Sequence, residues 1–362
     1  MGIGGVLMKL ATNPLYKTHL GEAYLGDALD LLRHLPDESI DLVMTSPPFA
    51  LQRQKEYGNV DQDGYVDWLL SFAIEVKRIL KNTGSFVLDL GGAYCKGRPV
   101  RSLYNYRILI KLCDEQAWNL AEEFFWFNPS KLPSPIEWVN KRKIRVKDAV
   151  NTVWWLAKTD FPKADVTKVL MPYSERMKLL LQNSVKYYSP KKRPSGHDIS
   201  LHFGEDKGGA IPPNLLQIPN TESNSQYLQC CKIACVSPHP ARFPQKLPEF
   251  FIRFLTNLGD TVLDIFAGSN TTGAAAEKLG RRWIAFEVDQ AYLATSAFRF
   301  LDKADVEMVK MLYEKLSSLQ VDETITIAKI AQLQIMEKRE KYEIGTEKVK
   351  KLKKHPTKFC SH

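Results

Sequence analysis

Residues 262–273 read Val-Leu-Asp-Ile-Phe-Ala-Gly-Ser-Asn-Thr-Thr-Gly. The first five residues form an apolar run that predicts a buried strand, and the small residues after it predict a tight turn. Residues 274–279 then have the composition of a helix. A strand, a turn and the start of a helix together form a cradle in which backbone N–H groups can hold an anionic or nucleotide-like ligand. A plain βαβ unit with a tight turn is the alternative interpretation.

A second apolar strand, residues 283–286, follows that helix and ends in Glu287. A carboxylate at the end of this strand is the usual partner of ribose hydroxyls in such folds. The glycine spacing differs from the Gly-x-Gly-x-x-Gly pattern of dinucleotide sites, so the expected ligand need not be a dinucleotide.

Residues 45–49 read Thr-Ser-Pro-Pro-Phe and directly follow another apolar run, residues 40–44. Two consecutive prolines cannot continue a strand, because neither has an N–H group and both have a fixed φ. The chain must therefore turn and present the Ser46 hydroxyl, the Pro47 carbonyl and the Phe49 ring. A flipped nucleobase requires such groups, acceptors for an exocyclic amine and a ring for stacking. A proline-rich loop after a core strand is the alternative.

Strand and helix patterns alternate over the first 157 residues, which predicts an α/β fold with a doubly wound, mostly parallel sheet. The strand that contains Trp154 and Trp155 is expected at the edge of the sheet. The predicted strands in this part of the chain are 23–25, 40–45, 85–90, 120–127 and 152–157, and the predicted helices are 28–35, 68–80 and 104–116, with a further helix at 247–258.

Residues 159–237 lose this periodicity and are rich in Pro, Lys, Tyr, Ser and Asn. We expect an inserted target-recognition region whose base-reading side chains lie on loops. A disordered linker fits less well, because tyrosines and aliphatic residues remain to pack. The chain would then divide into a catalytic half (1–158), this insert, a cofactor-binding half (238–302) and a helical basic extension (303–362). The candidate DNA contacts are Arg53, Lys191, Lys192, Arg193 and His197.

The composition is that of an ordinary globular protein, with 362 residues, 44% hydrophobic and 25% charged. No apolar run approaches the length of a membrane span and no signal peptide is evident, so a cytoplasmic protein is expected. Six cysteines lack paired Cys-x-x-C or matched histidine spacing, and no metal is expected.

The net charge is +9, of which residues 329–362 carry +6 through ten Lys and Arg against four Glu. This tail would act as an arm on DNA phosphates or as a solvated helix.

The two motifs together resemble those of the DNA methyltransferases that methylate exocyclic amines. In that family an Asp-x-Phe-x-Gly-Ser-Gly-like turn binds S-adenosylmethionine, and a tetrapeptide with two central prolines holds the target amine. Here the turn is residues 264–270, with Asn270 where many relatives have Gly, and the tetrapeptide is residues 46–49. Asparagine tolerates positive φ, so the turn is expected to survive. The catalytic motif comes first, which is the order of the beta class, and Ser46 resembles the cytosine-N4 branch.

This resemblance covers roughly residues 15–302 and implies a Rossmann-like, S-adenosylmethionine-dependent fold with a seven-stranded sheet and a circularly permuted motif order. The implied function is that of a type II restriction-modification enzyme, which methylates cytosine N4 in duplex DNA. The branch that the chain resembles most implies the palindrome CAGCTG as target. Methylation of adenine N6, or a DNA-binding module without activity, are the alternatives. Methylation of cytosine carbon 5 is disfavoured, because that chemistry uses a cysteine after a proline and the chain has no Pro-Cys dipeptide.

The resemblance also assigns site residues and partners. Duplex DNA is the implied substrate, and a restriction endonuclease is the implied functional partner, without a stable complex. The location would be the bacterial cytoplasm, at the nucleoid through DNA binding. Asp27 would touch the adenine side of the cofactor or cap the following helix. The implied catalytic residues are Ser46, Pro47, Pro48 and Phe49, and the implied cofactor-binding residues are Asp27, Asp264, Phe266, Gly268, Ser269, Asn270, Thr271 and Glu287.

One further dipeptide, His239-Pro240, resembles the family's entry to the helix that packs on the methionine end of the cofactor. A plain turn is the alternative.

Overall fold

The computed structural model describes residues 10, 12–48, 62–183, 194, 204–222, 225–301, 305–319 and 323–327. The predicted catalytic residue Phe49 and the basic tail after residue 327 lie outside these ranges. The predicted DNA contacts also lie outside them, namely Arg53, Lys191, Lys192, Arg193 and His197.

The described residues contain one sheet and helices on both of its faces. The strands are β1 (Tyr16–Lys17), β2 (Gly21–Leu25), β3 (Ile40–Thr45), β4 (Leu80–Leu90), β5 (Asn119–Phe127), β6 (Val150–Ala157), β7 (Leu215–Gln217), β8 (Thr261–Asp264), β9 (Arg282–Glu287) and β10 (Ile325–Thr326). The helices are α1 (Ala28–Arg33), α2 (Gln62–Ile79), α3 (Tyr104–Asp114), α4 (Glu175–Gln182), α5 (Gln226–Ile233), α6 (Lys246–Leu255), α7 (Thr271–Lys278), α8 (Gln290–Ser296) and α9 (Val306–Ser318).

The strand order is β10-β1-β2-β9-β8-β3-β4-β6-β5-β7. The seven strands from β2 to β5 form the body of the sheet, and the three others are only two or three residues long. Within that body only β6 is reversed, since it pairs antiparallel with both β4 and β5. The prediction of a mostly parallel sheet with seven main strands is therefore confirmed, and short strands extend it on both sides.

The two faces of the sheet bury separate hydrophobic clusters, as the alternation of side chains along a strand requires. In β3, Leu42 and Met44 join one cluster and Val43 joins the other. Ile40 lies with Val43, because the strand register shifts between Ile40 and Leu42. Helices α1 to α3 pack on the second face, and α5 to α9 pack on the first. The sheet is thus covered on both sides, and the doubly wound architecture is confirmed.

Three local predictions were wrong. The strand with Trp154 and Trp155 is not an edge strand but lies between β4 and β5, which explains why both indoles are buried. Strand β4 begins at Leu80 rather than at residue 85, because buried Leu80 already pairs with Ile40. Helix α2 begins at Gln62, six residues before the predicted start at residue 68.

The segment predicted as an insert contributes to the core at two places. Strand β7 extends the sheet beside β5. Helix α5 buries Tyr227, Cys230 and Cys231 against the cluster that contains α8 and α9. Among the described residues, no helix is both long and apolar enough to cross a bilayer. The same residues contain no group of three or more His, Cys, Asp or Glu that could hold a metal ion.

Candidate active site

A cavity of about 750 Å³ opens at the edge of the sheet where β2, β3, β4, β8 and β9 end. The carboxyl ends of parallel strands are the usual ligand site in open α/β sheets. Both sequence motifs line this cavity, although they are more than 200 residues apart in the chain. The turn between β8 and α7, residues 265–270, is called the Gly268 turn, and it forms one half of the wall. The Ser46-Pro47-Pro48 turn forms the other half.

The turn after β8 is held by Glu287, at the end of the neighbouring β9. Glu287 Oε2 accepts a hydrogen bond from the Gly268 N–H at 2.8 Å, and Oε1 accepts from the N–H groups of Val288 and Asp289, each at 2.9 Å. Burial raises the pKa of Glu287, whereas these backbone hydrogen bonds favour its charged form. Glu287 also lines the cavity, and its carboxylate oxygens have further lone pairs that can accept hydroxyl groups from a ligand.

Gly268 has a φ of +51°, and a Cβ at this position would lie 2.9 Å from the ring of His239. Glycine is therefore required both by the backbone conformation and by the close approach of His239. His239 itself is fixed by its backbone N–H, which donates to the Tyr227 hydroxyl at 2.9 Å. The His239-Pro240 turn thus closes over the Gly268 turn.

Two residues predicted to bind the cofactor lie behind the cavity wall. Asp264 accepts hydrogen bonds from the hydroxyls of Thr45 (2.7 Å) and Thr272 (2.6 Å), so it ties β3 to the first turn of α7. Asn270, at a φ of 52°, caps α7 through its Oδ1 and donates to the Tyr16 hydroxyl at 3.0 Å. Neither lines the cavity. Both side chains are buried and hold the turn in shape.

The remaining predicted cofactor residues do line the cavity, namely Asp27, Phe266, Gly268, Ser269, Thr271 and Glu287. Asp27 also caps α1, accepting from the Leu29 N–H at 2.8 Å, so both of its expected roles are compatible. Trp68 and Phe72 of α2 pack on Phe266, with ring centroids 5.5 and 5.1 Å apart. These three rings form an aromatic wall that suits a planar ligand such as a purine.

In the other half of the cavity, Ser46 meets a buried carboxylate. The Ser46 hydroxyl donates to Asp89 Oδ2 at 3.2 Å, and Asn151 Nδ2 donates to Asp89 Oδ1 at 3.2 Å. Asp89 is at the end of β4, next to β3, and is almost completely buried. Burial raises the pKa of Asp89 to about 6, although the hydrogen bonds from Asn151 and Ser46 and the charge of Lys131 oppose the shift. Such a carboxyl group can change protonation state near neutral pH.

Residues 40–298 match the model of a family of N6/N4 methyltransferases described as DNA methylase. This chain belongs to that family of DNA methylases. The predicted class of enzyme, and with it the predicted methyltransferase fold, is confirmed.

The similar proteins include enzymes with two different target bases. The type II methyltransferase M.PvuII of Proteus hauseri is 64% identical over 296 residues, which cover 82% of this methylase and 88% of the relative. The solved structure of the PvuII DNA methyltransferase (cytosine-N4-specific) covers 88% of this chain and 99% of its own, with a TM-score of 0.72 and 53% identity. The DNA adenine methyltransferase YhdJ of Escherichia coli (strain K12) is 25% identical over 275 residues, 74% of this chain and 78% of the relative.

Sequence reasoning missed several residues of the methylase cavity. The most important is Asp89, whose signal is a lone carboxylate near the end of the apolar run Phe86–Leu90, just before two glycines. Asn151 gives a weaker signal, since it is the second residue of β6 and lies just before the apolar run 153–157. The other unpredicted residues that line this half of the cavity are Trp126, Asn128, Lys131, Asn220 and Arg242.

Proposed function

We propose that this methylase transfers the methyl group of S-adenosylmethionine to the exocyclic N4 amine of a cytosine flipped out of duplex DNA. The observation that carries this proposal is the contact of Ser46 with Asp89 in the wall of the cavity that also contains the Gly268 turn. The 64% identity to a type II methyltransferase supports it.

The cavity residues fit S-adenosylmethionine. Glu287 has acceptor capacity for ribose hydroxyls, the rings of Phe266, Trp68 and Phe72 suit the adenine, and the tight Gly268 turn allows close approach of the backbone. When bound, S-adenosylmethionine supplies an electrophilic methyl group. We assign its adenosine end to Glu287 and the aromatic wall. The methionine end would then lie along Gly268, Ser269 and Thr271, under His239.

The target amine is a weak nucleophile, because its lone pair is delocalised into the cytosine ring. Ser46 donates its hydroxyl proton to Asp89, so the lone pairs of Oγ are available to accept an N–H of the amine. The Pro47 carbonyl is a second candidate acceptor. Two acceptors outside the ring plane turn the amine towards tetrahedral geometry and stabilise the positive charge that develops on nitrogen.

The methylated amine must then lose a proton. Asp89, with a pKa of about 6, is ionised at neutral pH and can accept that proton directly or through the Ser46 hydroxyl. Asn151 holds the other carboxylate oxygen and keeps the group oriented. Phe49, outside the described residues, remains the proposed stacking partner of the flipped base.

We propose CAGCTG as the recognition sequence, the target that the sequence resemblance implies. The proposed biological context is a restriction-modification system, in which a restriction endonuclease acts on the same sequence without forming a stable complex. Such an enzyme works on the DNA of its own cell, which for a bacterium means the cytoplasm and the nucleoid. The "type II" designation of several relatives supports this context.

The decisive experiment incubates the protein with labelled S-adenosylmethionine and two DNA duplexes, one with CAGCTG and one with a scrambled site. The duplexes are digested to nucleosides, and the methylated nucleoside is identified by mass spectrometry. We expect N4-methylcytosine from the first duplex only. N6-methyladenine would contradict the proposed target base, methylation of both duplexes would contradict the proposed site, and no methylation would contradict the proposed activity.

A further inference from the structure

Two loops beside the cavity carry a large share of the net positive charge of the protein. We call residues 93–103, after β4, and 128–149, between β5 and β6, the basic loops. They contain nine Lys and Arg but only Glu137 and Asp148 as acidic residues, a net charge of +7, while the whole chain carries +9. Residues 329–362 contribute another +6, so the rest of the chain carries −4. The charge of the part outside this tail is therefore strongly polarised towards the basic loops.

The basic loops form one connected surface at the mouth of the cavity. Arg101 and Asp148 form an ion pair between the loops, and Arg145 donates to the Pro99 carbonyl at 2.7 Å. The longer loop begins and ends at the cavity, since Asn128, Lys131 and Ala149 line it. A cationic surface around a catalytic cavity attracts the DNA backbone.

The longer loop also exposes several aliphatic side chains, among them Ile136 and Val146, and Leu132 is the one that adjoins a residue of the cavity lining. Leu132 is 81% exposed, and it directly follows Lys131, which lines the cavity. The backbone is held on both sides of Leu132, because Lys147 Nζ donates to the Pro129 carbonyl at 3.1 Å and the Asp148 N–H donates to the Ser134 carbonyl at 3.0 Å. The neighbouring prolines at 133 and 135 restrict it further. A large apolar side chain is thus presented to solvent on an anchored segment.

We propose that the basic loops dock on the DNA duplex beside the target base, and that Leu132 enters the space in the stack which the flipped base leaves. Flipping costs the stacking and pairing of one base, and an apolar side chain that fills the gap offsets part of that cost. The cations around Leu132 bind the adjacent phosphates and so determine how far the Leu132 side chain enters the base stack. This inference rests on the proposed function, because it requires a flipped base in duplex DNA.

The test of Leu132 compares two substrates, a duplex with a paired target base and a duplex with a mismatch at that base. A mismatched base is already unpaired and costs less to flip. Leu132→Ala is expected to lower kcat/KM on the paired duplex by about tenfold to a hundredfold, and on the mismatched duplex by less than about threefold. Leu132→Met should retain most of the activity, because it also fills the gap.

The control is Phe161→Ala. Phe161 is 88% exposed, but it follows β6 at the opposite edge of the sheet and should not affect either substrate. An equal loss on both duplexes, or no loss on either, overturns the role of Leu132. The activity of the wild-type protein on the paired duplex tests the proposed function separately, and the mismatch is placed at whichever base that protein methylates.

The cations are tested through the salt dependence of DNA binding. The double substitution Lys141→Ala and Lys143→Ala should reduce the slope of log K against log salt by roughly 0.9 for each phosphate that the variant no longer neutralises. The matched control, Lys310→Ala with Lys315→Ala, removes two exposed lysines of α9, outside the cavity lining, and should leave the slope unchanged. The same slope in wild type and in the Lys141 and Lys143 variant overturns the docking surface.

Discussion

The guanidinium group of Arg299 donates two hydrogen bonds to Ser269, one to its carbonyl oxygen at 2.6 Å and one to its hydroxyl at 3.0 Å. Arg299 follows α8, is half-buried, and lies over the ring of Tyr227 with its Cζ 4.7 Å from the ring centroid. Tyr227 in turn accepts the backbone N–H of His239. Arg299 therefore supports the Gly268 turn directly and, through Tyr227, also supports His239, which closes over that turn.

We expect Arg299→Lys to weaken S-adenosylmethionine binding about tenfold. A lysine keeps the charge but cannot make the two-pronged contact with the Ser269 carbonyl and hydroxyl, so the turn has less support. Isothermal titration calorimetry measures the affinity. The control is Arg282→Lys, at the start of β9, where the arginine bonds the Gly259 carbonyl. Equal affinities of wild type and Arg299→Lys would show that the arginine does not position the turn.

For Glu287→Gln we expect a loss of about 1–3 kcal/mol in the free energy of S-adenosylmethionine binding. The substitution replaces one carboxylate oxygen, an acceptor, by an NH₂ group, a donor. In either orientation of the amide, this donor faces the ribose or the backbone N–H groups that Glu287 now accepts. Thermal unfolding of the variant without cofactor serves as the folding control. Unchanged cofactor affinity in a folded variant would contradict the ribose assignment.

The methylation rate should depend on the ionisation of Asp89. Burial raises the pKa of this group to about 6, and only its ionised form accepts a proton. The single-turnover rate should therefore fall about tenfold per pH unit below pH 6 and level off above it. Asp89→Asn should lower the rate by roughly 10²–10⁴-fold and remove this acid limb. A rate that is independent of pH between about 5 and 8 in the wild type would exclude the role as proton acceptor.

Ser46→Ala should lower the turnover number on the order of a hundredfold and leave cofactor affinity near that of the wild type. It should also move the acid limb of the pH profile to higher pH. The reason is that the hydrogen bond from Ser46 lowers the pKa of Asp89, so its removal lets that pKa rise. A limb that stays at the wild-type position would mean that the two groups are not coupled during the reaction.

Asp41 should stabilise the fold at neutral pH and lose this effect in acid. Burial raises the pKa of Asp41, but hydrogen bonds from Lys81, the Thr261 N–H and Lys163 outweigh burial, and the net pKa is lowered. The stabilisation is therefore present above the unfolded pKa of about 3.9 and disappears as the pH falls through the lower folded value. Asp41→Asn should cost about 1–3 kcal/mol of unfolding free energy at about pH 7.

Thermal denaturation of the wild type and Asp41→Asn at several pH values checks this prediction. The difference in melting temperature should shrink as the pH falls below about 4. A difference that is constant with pH would mean that the charge of Asp41 is not what stabilises the fold.

The alternation of strands and helices, and both motif turns, could be predicted because they depend on local hydrophobic patterns and on proline and glycine. The position of β6 could not, since a run such as Thr152–Ala157 looks the same at an edge as between two strands. Its two buried tryptophans only acquire neighbours through pairing with β4 and β5. Local pattern therefore predicts the elements better than their order.

The residues of the candidate site were also predictable only where a local sequence motif marks them. Ser46 and Glu287 stand out in the sequence because each ends a strand in a motif. Asp89 does not, because its meaning depends on the adjacent β3, which brings Ser46 to it, and on reversed β6, which brings Asn151. Asp264 and Asn270 belong to the motif, yet they point into the core, and spacing alone cannot separate a ligand contact from a support.

Residues near the two ends of the described chain touch each other. Strand β10 runs beside β1, and the Thr324 hydroxyl donates to the Pro14 carbonyl at 2.8 Å across 310 positions of sequence. A short linker could therefore join these ends while the backbone is opened elsewhere, with little disturbance of the sheet. A head-to-tail duplication of the coding sequence contains such a rearranged reading frame, in which the Gly268 turn is translated before the Ser46 turn. Gene duplication followed by loss of the outer segments can therefore convert an enzyme with the Ser46 turn first into one with the Gly268 turn first, with little loss of stability of the sheet.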